Sequence, residues 1–252
     1  MNSRSPWQGA WQIARFNWPF YAVGMAVTGC LLIAAWWLPL LWLKWACVVM
    51  AVGGFYLLVA SVLASHLVYD RSDLYRLDWL KRLLKDAPHE QMIVCHSGFD
   101  EVSRPLAETF PTTEWRVLDH YDERLMTEPS IRRVRALFPT PPGTIAAPYD
   151  RWPIEPDSAD VVLALLAIHE FRSDAERAAW FREAMRCLKP GGRIILAEHV
   201  RDAANFLVYG PGFLHFHSVA SWRRSWTAAN LHLAESFRMT PWVRIFVLTT
   251  IP

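Results

Sequence analysis

The sequence predicts an α/β domain built on a parallel sheet and preceded by a two-helix apolar hairpin that crosses a membrane. Three observations carry the prediction. Two runs almost free of charge, Pro19 to Leu43 and Trp45 to Ser65, follow one another near the N-terminus. From about residue 90 onward, short apolar runs alternate with amphipathic stretches at strand–helix spacing. A Pro-Gly-Gly reversal at residues 190–192 then separates a long amphipathic helix from an apolar strand.

Composition narrows the function classes. The chain has 252 residues and a formal net charge of +2, so nothing in its bulk electrostatics points to nucleic acid. Half of its 14 tryptophans precede Arg71, in a segment with few charges, so the averages conceal two different materials. Cys30, Cys47, Cys95 and Cys187 form no Cys-x-x-Cys pair and no zinc spacing, and four buried, reduced thiols are expected.

Each apolar run is long enough for a hydrocarbon core of ~30 Å, which needs about 20 apolar residues. A signal peptide would have a shorter apolar region, and here a second run follows at once. Trp18 lies at one end of the first run, with Trp36, Trp37 and Trp42 at the other, while Trp45 and Tyr69 flank the second. Aromatic residues at both ends suit a membrane interface. Pro39 and Lys44 mark the turn. Arg4 and Arg15 precede the hairpin, and Arg71, Arg76, Lys81, Arg82 and Lys85 follow it, whereas the turn offers Lys44 alone. This excess of basic residues places both ends, and the large domain, in the cytoplasm. The expected organisation is a cytoplasmic segment over residues 1–18, the hairpin over 19–68, a juxtamembrane helix over 69–90 and the α/β domain over 91–252.

The elements of that domain follow in order. Leu74, Leu77, Leu80 and Leu84 have helical spacing where the chain leaves the hairpin. The segment from Tyr69 to Tyr75 either lines a route from the bilayer or caps this helix through Ser72 or Asp73. Met92 to Cys95 reads as a strand, Val102 to Phe110 as a helix, and Trp115 to Leu118 as a strand ending in Asp119. Ile131 to Phe138 reads as a helix and Thr144 to Ala147 as a short strand. Asp160 to Ile168 is a long apolar run, and Ala175 to Leu188 a strongly amphipathic helix that stops at Pro190 before the strand Arg193 to Ala197. Such alternation argues for a parallel sheet covered on both faces, with ligands beyond the carboxyl ends of its strands.

Two stretches are the most specific: Cys187-Leu-Lys-Pro-Gly-Gly-Arg-Ile-Ile-Leu-Ala-Glu198, and upstream Pro153-Ile-Glu-Pro-Asp-Ser-Ala-Asp160-Val-Val-Leu leading to His169-Glu170. Together they resemble the class I S-adenosylmethionine-dependent methyltransferases, in the branch acting on small molecules and lipids. The resemblance covers about residues 90 to 250, with Ala234 to Phe237 and Val243 to Thr249 as closing antiparallel strands. It implies a Rossmann-like, seven-stranded methyltransferase sheet with one antiparallel strand at its edge, and S-adenosyl-L-methionine as cofactor. Asp119, 21 residues past Gly98, would accept both ribose hydroxyls.

The chain departs from the family in two places. Where the family carries Gly-x-Gly-x-Gly, this sequence has His96-Ser97-Gly98-Phe99-Asp100, which keeps only the central glycine. Asp100 could hold the cofactor's ammonium group, with His96 donating to its carboxylate. After the third strand, where an acid reaches the adenine, Pro148 stands at the aligned position and Asp150 is the substitute.

Methyl transfer needs an in-line approach, a positioned nucleophile and sometimes a base. His169 at the end of the fourth strand and His199 after the fifth are the candidate bases, and Tyr209, His215 and His217 are expected around the substrate. His215-x-His217 with Glu198 and His199 could also be read as metal ligands, but the spacing matches no zinc pattern and no metal is expected. The implied protein is a membrane-anchored methyltransferase acting on a quinone, an isoprenoid or a lipid. Its rivals are a methyltransferase-fold binding protein that has lost the reaction, and a protein that uses the cofactor for other chemistry.

Overall fold

A computed structural model describes residues 5–250 of the chain. Arg4, counted above among the charges before the hairpin, lies outside the described residues. The described chain opens with a short amphipathic helix, α1 (Gln8–Phe16), which sequence reading passed over. Gly9, Ala10 and Phe16 form its buried face, and its first amides, those of Gly9 and Ala10, donate to Asp70 at 2.7 and 3.1 Å. A carboxylate at a helix N-terminus satisfies donors that have no partner within the helix.

Two long apolar helices follow, α2 (Trp18–Trp37) and α3 (Leu41–Ser65), and α3 continues as a π-helical turn over His66–Arg71. Both are long and apolar enough to cross a membrane. Their turn is Leu38-Pro39-Leu40, so Lys44 belongs to the first turn of α3 and not to the connection. The anticipated Ser72 or Asp73 cap does not form: Ser72 Oγ donates to Val68 O at 2.5 Å, and the next helix, α4 (Asp78–Leu84), has no side-chain cap.

The remaining elements are β1 (Gln91–His96), α5 (Ser103–Thr109), β2 (Glu114–Asp119), α6 (Pro129–Leu137), β3 (Ile145–Ala146), β4 (Ala159–Leu165), α7 (Asp174–Cys187), β5 (Leu188–His199), α8 (Ala203–Tyr209), α9 (Val219–Thr227), β6 (Leu231–Arg238) and β7 (Val243–Thr250). They build a seven-stranded sheet in the order β3-β2-β1-β4-β5-β7-β6. β7 runs antiparallel to β5 and β6, one position in from the edge where the antiparallel strand was expected. Strand alternation divides the core. Ile93 and Cys95 face the layer of α7 and α9 with Trp180, Phe181 and Trp222, while Met92 and Val94 face that of α4 and α5 with Leu80 and Leu106. Burying a side chain of this size contributes about 1.5–3 kcal/mol before the entropy of ordering it.

Local sequence explains the junction read as a reversal. Ser173 and Glu176 form a reciprocal capping box that starts α7. At its far end the Pro-Gly-Gly segment is a bulge within β5, because pairing jumps from Ala159–Leu188 to Val161–Arg193. A Cβ on Gly192 would stand 2.9 Å from Leu188 Cδ2 and 3.0 Å from the carbonyl oxygens of Asp160 and Lys189, so any side chain there would crowd the bulge. All four cysteines are free, and Cys95 and Cys187 are buried as expected, but Cys30 is exposed and Cys47 half-buried.

Candidate functional site

The carboxyl ends of β1, β4 and β5 converge on a cavity of about 520 Å³. Its wall includes the β1 loop from His96 to Val102, the end of β4, and His169, Glu170, His199, Tyr209 and His215. It also includes residues of α1, α2 and α3, along with Tyr69 and Tyr75. Of the segment from Tyr69 to Tyr75, the two end tyrosines line the cavity. Phe16 closes the side near the β1 loop by packing edge-on against Phe99 and Phe138, and its carbonyl accepts from Arg133 Nε at 2.7 Å.

The β1 loop presents polar atoms to this space. His96 and Ser97 are buried, yet neither ring nitrogen of His96 nor Ser97 Oγ has a hydrogen-bond partner. Burial lowers the His96 pKa, which leaves a neutral ring with one donor and one acceptor to offer. Gly98 adopts φ +92°, and a Cβ there would lie 3.1 Å from Tyr121 Cδ2. Asp100 is otherwise engaged: its carboxylate accepts from the amides of Val102 and Ser103, both at 2.9 Å, and from Ser103 Oγ, which anchors the start of α5.

At the end of β2, Asp119 is buried. One carboxylate oxygen accepts from Gly98 N at 2.9 Å and Tyr121 N at 3.0 Å, and the other is paired with Arg135 of α6. Asp150 is exposed and stands outside the cavity wall. The neighbourhood of the third strand is aromatic instead: His120 packs against Trp152, Phe171 and Trp180, and Tyr149 against Phe171.

The two candidate bases separate. Burial alone would lower the His169 pKa, but Glu198 and Glu170 prevail and raise it to about 10. Its Nδ1 lies 2.8 Å from Glu198 Oε2 and its Nε2 3.4 Å from Glu170 Oε1. Both ring nitrogens of His169 are thus turned toward carboxylates, which favour the protonated ring over the free base expected there. His199 is the reverse case. Burial, then the charge on His169, lower its pKa to about 4, so the ring is neutral at pH 7.

Of the expected substrate residues, Tyr209 and His215 reach the cavity and His217 does not. Tyr209 packs edge-on against His199 and Phe216, and burial pushes its phenol pKa up. His217 is buried behind the wall. Arg177 Nη1 donates to its Nε2 at 2.9 Å, and burial and that guanidinium lower its pKa to about 3. Arg177, only 1% exposed, also donates to Phe171 O and Ser221 Oγ, which ties α7 to α9 beneath the site. His215 ends the 3₁₀ segment Gly210–His215 and His217 follows it, bridged to Val200, so the two rings do not share one strand face.

Sequence reading missed Arg135, Arg177 and the covering helix. The helix alone left a signal, since Gly9, Ile13, Phe16 and Asn17 recur at helical spacing.

Residues 125–196 match the family model for the methyltransferase domain. No curated protein matches the chain in sequence. Among solved structures, an S-adenosylmethionine-dependent methyltransferase from Aquifex aeolicus is similar in fold, with TM-score 0.52, 10% identity and coverage of 71% of this chain and 92% of that one. A methyltransferase of the same class from Clostridium acetobutylicum gives TM-score 0.50 at 8% identity, covering 71% and 91%. A Pyrococcus horikoshii protein gives 0.51 at 14%, covering 70% and 90%. At these identities the likeness is one of fold. Domain match and fold together support an S-adenosylmethionine-dependent methyltransferase.

The residues present fit that cofactor at its methionine end. The nitrogens of His96, which make no hydrogen bond although Nδ1 lies 3.5 Å from Asp119 Oδ1, the unbonded Ser97 Oγ and the positive φ of Gly98 make a polar cradle open to the cavity. When bound, the cofactor supplies an electrophilic methyl group on a sulfonium.

Proposed function

We propose that this protein is a membrane-anchored S-adenosylmethionine-dependent methyltransferase whose acceptor is lipophilic and resident in the membrane: a quinone, an isoprenoid or a lipid. The observation that carries the reading is the composition of the cavity wall. Phe20, Tyr21 and Ser61 of the apolar helices share one cavity with His96, Gly98 and His199 of the α/β domain. Large apolar side chains of those helices, among them Val23, Ile33, Trp36, Val49, Val52 and Phe55, are more than half exposed. A bilayer is the environment in which such exposure costs least. Tethering concentrates the enzyme at the surface that holds its acceptor, without any new contact.

In this reading His96, Ser97 and Gly98 hold the methionine end of the cofactor and Asp119 accepts from its ribose, exchanging Arg135 for the hydroxyls. Asp100 acts through the loop it anchors, and Asp150 serves the adenine only from the surface. His199 takes the acceptor's proton. The acceptor lies against Tyr209 and His215, and the α/β domain faces the cytoplasm with both chain ends.

The test uses the full chain in nanodiscs with methyl-labelled cofactor and a total membrane lipid extract of its native host. Label should enter the organic phase, and reporter fusions at the two ends should both read cytoplasmic. Label confined to water-soluble products, or an external C-terminus, would overturn the reading.

One observation favours a second reading, a binding protein that has lost methyl transfer. Asp119 already holds Gly98, Tyr121 and Arg135, and both it and the altered loop lie outside the matched residues 125–196. Saturable binding of S-adenosylmethionine or S-adenosylhomocysteine without label transfer to any fraction would favour it.

A further inference from the structure

On the cavity wall three side chains from two separate segments turn their ligand atoms toward one point. His169 and Glu170 belong to a single 3₁₀ turn after β4, Ile168–Glu170, and His215 ends the 3₁₀ segment Gly210–His215. Glu170 Oε1 lies 3.4 Å from His169 Nε2 and 3.5 Å from His215 Nε2, and the three ligand atoms all fall within 4.8 Å of one another. We propose that His169, Glu170 and His215 form a binding site for a divalent transition-metal ion of the zinc type, with its remaining coordination position open to the cavity.

Geometry is the first support. Ligands about 2.1 Å from a tetrahedral ion stand roughly 3.4 Å from one another, which the two spacings to Glu170 already match, and the three atoms lie within 4.8 Å of one another. Donor chemistry is the second. Two imidazoles and one carboxylate, with no thiolate, suit zinc and its neighbours rather than the oxygen-seeking calcium or magnesium.

The third support lies behind the ligands. A metal-bound histidine is ordinarily oriented by a carboxylate on its other nitrogen. Behind His169 stands Glu198, fully buried, with Oε2 2.8 Å from His169 Nδ1 and Oε1 accepting from the amides of Ala167 and Ile168. Behind His215 stands Glu128, with Oε1 3.5 Å from His215 Nδ1. His169 therefore has a carboxylate hydrogen-bonded behind it, and His215 has one within reach of a small ring movement. Arg172 Nη1 competes for His215 Nδ1 at 3.2 Å, but it also donates to the His215 carbonyl at 2.8 Å and keeps that bond if Glu128 takes the ring.

Three protein ligands leave room for an oxygen or sulfur donor from the cavity, which assigns the bound molecule to the hydroxyl, phenol or thiol classes. Metal uptake is read without turnover. A failure of methyl transfer therefore leaves this site standing, and an empty site leaves methyl transfer standing.

The experiment uses the full chain in detergent, stripped with chelator and dialysed against Zn²⁺ or Co²⁺. One equivalent of metal should be retained, and Co²⁺ should give the visible absorption of a low-symmetry site with nitrogen ligands. His215→Ala and Glu170→Gln should each lower affinity by more than tenfold, and Glu128→Gln by about tenfold, with thermal transitions unchanged. If a ligand variant fails to fold, the stoichiometry and Co²⁺ spectrum of the unaltered chain decide. Retention of less than a tenth of an equivalent by that chain, or equal affinity in all variants, would show an ion-pair network only and overturn the proposal.

Discussion

Tyr69 and His199 are 130 residues apart in sequence, and their polar atoms, Tyr69 Oη and His199 Nε2, stand 3.3 Å apart. His199 Nδ1 lies 3.0 Å from the Trp242 carbonyl, which can only accept, so Nδ1 carries the proton and Nε2 offers its lone pair. The Tyr69 hydroxyl therefore donates to His199. Tyr69 sits in the π-helical continuation of α3, so an apolar helix and the end of β5 meet inside the cavity. If His199 takes the acceptor's proton, His199→Asn should reduce label transfer at least about a hundredfold, the usual scale of general-base loss, with cofactor affinity unchanged. Tyr69→Phe should give a smaller loss in kcat. An unaffected rate in His199→Asn would place the base elsewhere.

The pairing of Arg135 with Asp119 makes a prediction with opposite signs at two positions. Asp119→Asn should weaken cofactor binding by about ten- to a hundredfold, since a charge-assisted hydrogen bond is worth ~1.5–3 kcal/mol. Arg135→Gln should tighten it several-fold, because the ribose no longer competes with a guanidinium. Calorimetry on both variants separates this from a purely structural ion pair, for which Arg135→Gln would leave affinity unchanged or lower it.

Gly98 is held at φ +92° with Tyr121 close beside it, so a branched side chain meets both backbone strain and a wall. Gly98→Val should abolish cofactor binding while lowering the melting temperature by only a few degrees, the loop being at the end of the sheet. Intact binding in that variant would mean the methionine end lies away from this loop.

Buried histidines give the chain an acid limit, and two of them show how. His120 donates from Nδ1 to Ala147 O and accepts from Trp180 Nε1, and burial holds its pKa at about 4. His199 is held at about 4 as well. An unfolded histidine titrates near 6.5, so below that pH the unfolded chain takes up protons that these two refuse. Their contribution is fully present above about pH 6.5 and falls as pH drops toward 4, by about 1.4 kcal/mol per unit for each residue. Tryptophan fluorescence melts of the full chain in detergent should show the midpoint falling between pH 7 and 5. A constant midpoint over that range would mean both rings are already charged in the folded state.

The sequence by itself determined the α/β class, most strands and helices of the sheet domain and the two apolar helices, though not α1 or the place of the antiparallel strand. Each of those rests on local periodicity and punctuation: alternation in β1, the capping box at Ser173, the glycines at 191 and 192. It also placed Asp119 at the end of its strand and Gly98 just beyond β1, because a strand's carboxyl end is legible from where its apolar run stops. Tertiary structure alone decided what those residues do to one another. The charge on His169 depends on Glu198, 29 residues away on the neighbouring strand. The engagement of Asp119 depends on where α6 lays Arg135, and the withdrawal of His217 depends on Arg177. A sequence pattern records what each residue can donate or accept. Only the folded distances, inside a low-dielectric wall where one neighbouring charge shifts a pKa by several units, select which of those capacities is used.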